Sequence, residues 1–285
     1  MACVLAKFGV NSAFCGKAGN DLFGHFCKNT LEATGVSTEY FFFSNRSPTT
    51  LSVVDLSRNG ERSFTFYRQG TADIGLSIGD IKRINYEEFN YFHFGTVSLS
   101  AEPSRSAVLK AVKYARASGA VISCDLNLRP SLWPSVQKMK VEVLKLLNAG
   151  SLDIIKLSEE ELLFLTNQVS MEEAIDDFEI KYPCGLLLVT CGADGAIASY
   201  KRKHYYSPGC VVNAVDTTGA GDCFLGTALY YLIVNSFSIS SLTDTSIKQL
   251  LSFANAAAAL STTEYGAVPT RLSLDDIRQM QFSHK

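Results

Sequence analysis

No apolar run in these 285 residues approaches the ~18 that a membrane-crossing helix requires. No secretory leader opens the chain, and the two absences together predict a cytosolic protein with no membrane partner. Basic clusters are missing as well. The longest is Lys201-Arg202-Lys203, and the formal net charge is −2 at pH 7, so there is no electrostatic footprint for nucleic acid. The eight cysteines (3, 15, 27, 124, 184, 191, 210 and 223) never form a C-x-x-C pair. That spacing argues against a zinc ribbon or a disulfide framework, and several of the thiols sit in apolar runs, as buried thiols do in a reducing compartment. Histidine is scarce: His25, His93, His204 and His284 are isolated in sequence and read as structural or surface residues. There is no internal repeat, low-complexity tract or linker.

What is present is an apolar fraction of 47% with 19% charged residues, enough to build one large soluble α/β domain. From Tyr91 onward, short apolar runs alternate with helical periods. The pattern predicts strands at Tyr91–Phe94, Ala120–Cys124, Asp153–Leu157 and Leu186–Thr190. Between them it predicts helices at Ser104–Ser118, Val136–Leu147, Glu159–Thr166 and Met171–Tyr182. That is a βαβ rhythm, with parallel strands buried on both faces by crossover helices. Ala193-Asp194-Gly195 reads as a turn into an antiparallel strand, Ala196–Tyr200. Between Val36 and Gly70, segments near Tyr40–Phe43, Leu51–Leu56 and Ser63–Tyr67 are broken by turn residues, including Asn59-Gly60. They predict a small three-stranded sheet projecting as a lid or a dimer contact.

The most informative run is Asp216-Thr217-Thr218-Gly219-Ala220-Gly221-Asp222. A helical apolar period follows it, so the glycines open a helix whose first N–H groups lack intrahelical partners and sit at the positive end of the macrodipole. Gly219, Ala220 and Gly221 let an anion approach bare backbone, and Asp222 lies where a carboxylate can take a proton from a hydroxyl beside that anion. Base plus cradle suits phosphoryl transfer to an alcohol. The alternative is a strand-to-helix junction whose glycines serve packing. Two other nucleotide motifs fail. A Walker A loop around Lys17 would need Gly at 11 and Ser or Thr at 18, where Asn11 and Ala18 stand. The Gly219-x-Gly221 pair is followed by Phe224 instead of a third glycine.

The order and spacing of five further segments make the chain similar to the ribokinase-like (PfkB) carbohydrate kinases, and to bacterial fructokinases among them. These are Gly16 to Asp21 with Phe23-Gly24; Asp125-Leu126-Asn127-Leu128-Arg129 with Leu132-Trp133; Lys156 to Glu161; Thr190-Cys191-Gly192; and Phe253 to Ala259 leading to Gly266-Ala267. The resemblance spans nearly the whole chain. It implies one ribokinase-like α/β domain over residues 1–285, with a mostly parallel central sheet, helices on both faces and a small β lid within about 36–70.

The resemblance also assigns roles. Asp222 becomes the base, and the amides of Gly219, Ala220 and Gly221 become the anion hole for the transferring phosphoryl group. Lys156, Ser158, Glu161, Thr190, Gly192, Asn255 and Gly266 fall on the nucleotide side, and Asn127 and Arg129 on the sugar. Arg129 is open to a second reading as a salt-bridged structural residue, and the alanines around Asn255 to one as tight helix packing. Glu161 matches the acidic residue that organises Mg²⁺ through water, with Ser158 standing where the family has Asn. Asp216, Thr218 and backbone near Gly266 match a potassium shell. The implied ligands are ATP, Mg²⁺, K⁺ and a small sugar; the appendage read from the strands between Val36 and Gly70 leaves a homodimer through the lid as the alternative to a lid alone.

Family members usually begin about thirty residues earlier, with a strand bearing a sugar-binding Asp and a Gly-Gly-x-x-x-Asn segment. This chain starts inside the helix Ala2–Lys7. By resemblance it is N-terminally truncated, with its nucleotide half intact and its sugar half incomplete, and it is expected to bind ATP far better than fructose. A nucleoside kinase and a non-catalytic sugar or nucleotide binder remain the alternatives.

Overall fold

The computed structural model describes residues 1–56 and 62–283. The expected turn at Asn59-Gly60 and His284 lie outside the described residues. A six-stranded sheet forms the centre. Its strands are β5 (Tyr91–Gly95), β6 (Val121–Asp125), β7 (Ile154–Ser158), β8 (Leu186–Thr190), β9 (Gly195–Tyr200) and β10 (Lys203–Pro208), side by side in that order. The β5–β6, β6–β7 and β7–β8 ladders are parallel; β8–β9 and β9–β10 are antiparallel. Leu186, Leu187, Leu188 and Val189 are all 0% exposed. They meet core on both faces, which is why this strand reads as a continuous apolar run instead of an alternation.

One face carries helices α4 (Ser104–Ala117), α5 (Val136–Asn148), α6 (Glu159–Thr166) and α7 (Met171–Lys181). Val108, Met139, Leu162 and Phe178 from these helices pack on Ile122, Leu157 and Leu187. The other face carries α1 (Ala2–Lys7), α8 (Ala220–Val234) and α9 (Asp244–Ser261), with α10 (Leu274–Ser283) packed against α9. The expected α/β architecture with helices on both faces is what the chain adopts. Helix α8 is buried nearly all round, from Cys223 to Leu229, as its unbroken apolar composition requires.

The expected three-stranded lid is instead two separate ladders. Strand β2 (Phe41–Ser44) pairs in parallel with β1 (Gly16–Gly19), while β3 (Leu51–Leu56) and β4 (Arg62–Tyr67) form an antiparallel hairpin. The connection between β2 and β3 is fastened to the main body. Asp21, the N-cap of α2 (Leu22–Ala33), accepts hydrogen bonds from Gly24 N and Thr49 N at 2.8 Å and from Thr49 Oγ1 at 2.7 Å. Both ends of the hairpin converge on one carboxylate. Thr50, just before β3, donates to Asp73 Oδ1, and Arg68, just after β4, lies 2.6 Å from Asp73 Oδ2 while also reaching Ser100 Oγ and the Val97 carbonyl. Burial pushes the Asp73 carboxyl up, but the Thr50 and Thr71 hydroxyls and Arg68 outweigh it and leave the group below its usual value.

Candidate active site

In the open sheet, the carboxyl ends of the parallel strands converge where α/β proteins place their ligands. Gly95, Asp125 and Lys156 stand in register across β5, β6 and β7, and Ser158 stands opposite Thr190 across β7 and β8. The register sets the Lys156 ammonium against Asp125, with Nζ at 3.0 and 3.2 Å from the two carboxylate oxygens and both side chains 8% exposed. Burial raises the Asp125 pKa to about 6. Lys156 pulls it down, and the Glu161 and Asp222 carboxylates push it further up. Beyond β6 the chain turns at Asn127 and Arg129, whose φ values of 35° and 47° are left-handed. Conformations of this kind cost of order 1–3 kcal/mol each and gather at functional sites. Trp133 and Glu161 hold the turn: Trp133 Nε1 donates to the Leu128 carbonyl at 2.8 Å, and Leu128 N donates to Glu161 Oε1 at 2.7 Å.

The Asp216–Asp222 run lies against the segment that follows α9. Val215 N and Asp216 N donate to the Thr262 carbonyl at 2.7 and 3.0 Å. Asp216 Oδ1 accepts from Thr218 N at 2.8 Å, and its Oδ2 accepts from Gly266 N at 2.9 Å. Gly219, at φ +82°, caps α8, and a Cβ there would lie 2.7 Å from the Ala267 carbonyl. Only glycine fits both the conformation and the space. The cradle is narrower than the sequence implies. Ala220 N donates to the Thr217 carbonyl at 3.2 Å, whereas the Gly219 and Gly221 amides donate to no acceptor among the described residues. Asp222 sits in the first turn of α8 with its side chain 55% exposed, and Met1 N lies 3.8 Å from its Oδ1.

These groups enclose a cavity of about 640 Å³, within the range that holds a small ligand. Asp125, Asn127, Arg129 and Lys156 form the strand-end wall, and Thr217, Thr218, Gly219, Gly221 and Asp222, with Ala267, form the opposite one. Ser52 and Phe66 of the hairpin close the third side. Arg129 is exposed and has no ion pair among the described residues, so the reading of it as a salt-bridged residue is not what the structure shows. It lines the same cavity as Gly219, Gly221, the Asp222 carboxylate and the buried Lys156 ammonium.

Other expected residues do not line this cavity. Ser158 and Glu161 form a capping box on α6: Ser158 N donates to Glu161 Oε2 at 3.0 Å, and Glu161 N donates to Ser158 Oγ at 3.2 Å. Both Glu161 oxygens thus accept backbone N–H groups, one from its own turn and one from the Asn127–Arg129 loop. Thr190 ends β8 beside Ser158, and Gly192 (φ +58°) opens the following turn with open space beside its Cα. Asn255 is buried and braces α9 to β10, its Nδ2 donating to the Ser207 and Pro208 carbonyls at 2.9 and 3.2 Å. Ser52 and Phe66 had no site role on sequence grounds, and Asp125 and Ala267 lay in segments of the resemblance without a role of their own. Asp125 carried a signal, a carboxylate one residue past an apolar run, whereas the hairpin residues carried none.

Residues 1–273 match the pfkB family carbohydrate kinases. The chain belongs to that family. It is 36% identical over 283 residues to probable fructokinase-5 of Arabidopsis thaliana, covering 99% of this chain and 86% of that one. Fructokinase from Vibrio cholerae O395, crystallised with fructose, ADP and calcium ion, superposes with a TM-score of 0.89 at 34% identity, covering 98% of this chain and 88% of that one. A double-mutant form of the same bacterial enzyme, bound to fructose, ADP and potassium ion, gives 0.89 at 33% identity with the same coverage. The relatives therefore include plant as well as bacterial fructokinases.

Among carbohydrate kinases, a side chain added to the cradle tests how close the ammonium must come. A Cβ on Gly221 would lie 2.8 Å from Lys156 Nζ. The nearest atom is the far end of a flexible side chain, so Gly221→Ala is expected to fold with a melting temperature near that of the parent. It is also expected to lose about 10²-fold in kcat, the scale of removing one preorganised oxyanion donor. Differential scanning calorimetry beside steady-state kinetics checks both halves. A kcat unchanged by the substitution would place the ammonium outside the reacting shell.

Proposed function

We propose that the chain transfers the γ-phosphoryl group of ATP to a primary hydroxyl of a sugar, with fructose as the acceptor. One observation carries this reading: Asp222, the open Gly219 and Gly221 amides and the buried Lys156 face one cavity together with Asn127 and Arg129. In the transfer, Asp222 takes the hydroxyl proton as the oxygen attacks. The glycine amides and the dipole of α8 stabilise charge on the equatorial oxygens, and Arg129 holds the acceptor or its phosphate by its planar fork of donors. The bound fructose and ADP named for the bacterial relative support both substrates. The test is ADP release against a panel of sugars and nucleosides, with fructose expected to give the highest kcat/KM. Preference for a nucleoside, or no turnover with any acceptor, would sink the proposal.

Thr190, Gly192 and Ser158 serve the nucleotide side in this reading, since they stand at adjacent strand ends next to the cavity wall. ATP brings Mg²⁺, which neutralises charge on the phosphates, and Glu161 fits an outer position. Each of its oxygens accepts one backbone N–H and keeps a lone pair for a coordinated water. Glu161→Gln is expected to raise the Mg²⁺ concentration needed for half-maximal rate several-fold more than it raises the KM for sugar. A metal titration at saturating substrate reads this, and equal effects on both would reduce Glu161 to a helix cap. Asp216, Thr218 and backbone at Gly266 fit a monovalent cation by their hard oxygen donors, and the potassium named for the related double mutant supports it. Replacing K⁺ with a bulky organic cation should then lower the rate.

Two contextual readings belong with the proposal. The eight cysteines are all unpaired, as in a reducing cytosol, and no helix among the described residues is long and apolar enough to cross a membrane. A homodimer through the hairpin is supported by Val53, Val54 and Tyr67, exposed at 52%, 43% and 62%. Sedimentation velocity checks it, with a monomer at micromolar concentration as the contrary result.

A further inference from the structure

At the far end of the sheet from the cavity, three buried polar atoms without hydrogen-bond partners gather on one face. They are Glu179 Oε2, His204 Nε2 and Ser199 Oγ. Glu179 and Asp176 lie three residues apart on α7, hence on the same side of that helix. His204 is on the edge strand β10, directly opposite Ser199 of β9, which in turn stands opposite Leu187, the second residue of β8. Opposed residues of an antiparallel ladder point to the same face, so Ser199 and His204 share a side of the sheet. Leu187 lies three residues, about 10 Å, before the carboxyl end of β8, which separates this place from the base and cradle.

The distances are those of ligands around a cation. His204 Nε2 lies 3.5 Å from Asp176 Oδ1 and 3.6 Å from Glu179 Oε2, and one ligand atom from each of the three residues lies within 4.8 Å of the others. These separations are long for hydrogen bonds. Two ligands at about 2.1 Å from a tetrahedral Zn²⁺ stand about 3.4 Å apart. Burial sharpens the point: the Glu179 side chain is 10% exposed and that of Ser199 1%. Buried polar atoms almost always have a partner, and leaving one without costs about 1–3 kcal/mol.

We propose that Asp176, Glu179 and His204 form a structural site for a divalent cation of the zinc class, cross-linking helix α7 to the edge strand β10. One imidazole and two carboxylates supply three of four tetrahedral positions, and water takes the fourth, with the Ser199 hydroxyl on the same face to receive its hydrogen bond. The set contains no thiolate, which separates it from any adventitious binding at the eight cysteines. Closing an edge strand onto a helix also protects the outermost ladder from pairing with another chain.

The test is titration of the EDTA-treated full chain with Co²⁺ and then Zn²⁺, read by visible absorption and melting temperature. The expected result is one equivalent of Co²⁺ with the intense spectrum of a tetrahedral site and no thiolate charge-transfer band. Zn²⁺ should displace it, and the melting temperature should rise with Zn²⁺ and fall back on chelation. His204→Gln and Glu179→Gln should each weaken Co²⁺ binding by at least tenfold while Mg²⁺-supported turnover stays within twofold of the parent. Having two variants keeps the test standing if one folds poorly. Binding of equal strength in both variants, a thiolate band, or no binding at all would overturn the proposal; the last result would leave the three atoms to a buried water.

Discussion

Asp222→Asn is expected to lower kcat by about 10²–10⁴-fold, the usual effect of losing a general base, while ATP binding stays within a few-fold of the parent. The amide has the shape of the carboxylate and cannot take the proton. In the proposed reading the nucleotide side lies elsewhere, at the ends of β7 and β8, so substrate affinity and turnover should part company. Single-turnover kinetics with calorimetric titration of ATP reads both. The expectation rests on Asp222 being in the first turn of α8 and on the cavity side of the cradle. A variant with near-normal kcat would show that the proton leaves by another route.

Lys156→Met is expected to have the largest effect on stability. Lys156 and Asp125 are each 8% exposed and bonded to one another. Removing the cation leaves a buried carboxylate without its partner, a change that typically costs about 3–5 kcal/mol. The loss should depend on pH in a definite sense. The Asp125 carboxyl has a raised pKa of about 6 in the folded chain, against a reference value of 3.8. The folded state therefore holds that proton longer than the unfolded state does, and the group's contribution falls as pH rises through the window from about 4 to about 6. Without Lys156 the window extends upward, so the deficit of Lys156→Met should be largest near pH 8 and shrink on acidification. Adding Asp125→Asn should restore most of the stability at pH 8. Urea denaturation of the two single variants and the double variant at pH 5 and pH 8 gives the cycle, and a pH-independent deficit would mean that lost packing, not charge, is responsible.

The parallel half of the sheet was legible because burial on both faces writes long apolar runs. Leu186–Thr190 and Glu159–Thr166 have the predicted bounds. Strand β10 left no such mark: Lys203, Tyr206 and Pro208 are exposed, and only Tyr205 and Ser207 are fully buried. Strand β1, four residues of Gly-Lys-Ala-Gly, exists because β2 lies beside it, which no local pattern declares. In the site, Asp222 and the cradle could be read because a helix start, bare backbone and a carboxylate have a joint chemical meaning. Ser158-x-x-Glu161 was harder, since a capping box and a metal motif share the same letters and only the reciprocal bonds, Ser158 N to Glu161 Oε2 and Glu161 N to Ser158 Oγ, reveal the first. His204 looked isolated because its neighbours Asp176 and Glu179 belong to a helix that the chain leaves two strands earlier. Ser52 and Phe66 reach the cavity by the pose of a whole hairpin, a property of tertiary packing.

That hairpin is held at both roots by a single carboxylate, Asp73, which takes Thr50 on one side and Arg68 on the other. Mechanically this is a pin joint. Sliding the hairpin sideways would break both bonds at once, whereas rocking it about the line between residues 50 and 68 breaks neither. A six-residue strand is an arm of about 20 Å, so a rock of about 10° sweeps its tip through about 3 Å, one water diameter. Ser52 and Phe66, close to the roots, travel only a fraction of that distance. The part of the hairpin touching the cavity therefore acts as a nearly stationary wall, and most of any stroke is spent at the strand ends farthest from the roots.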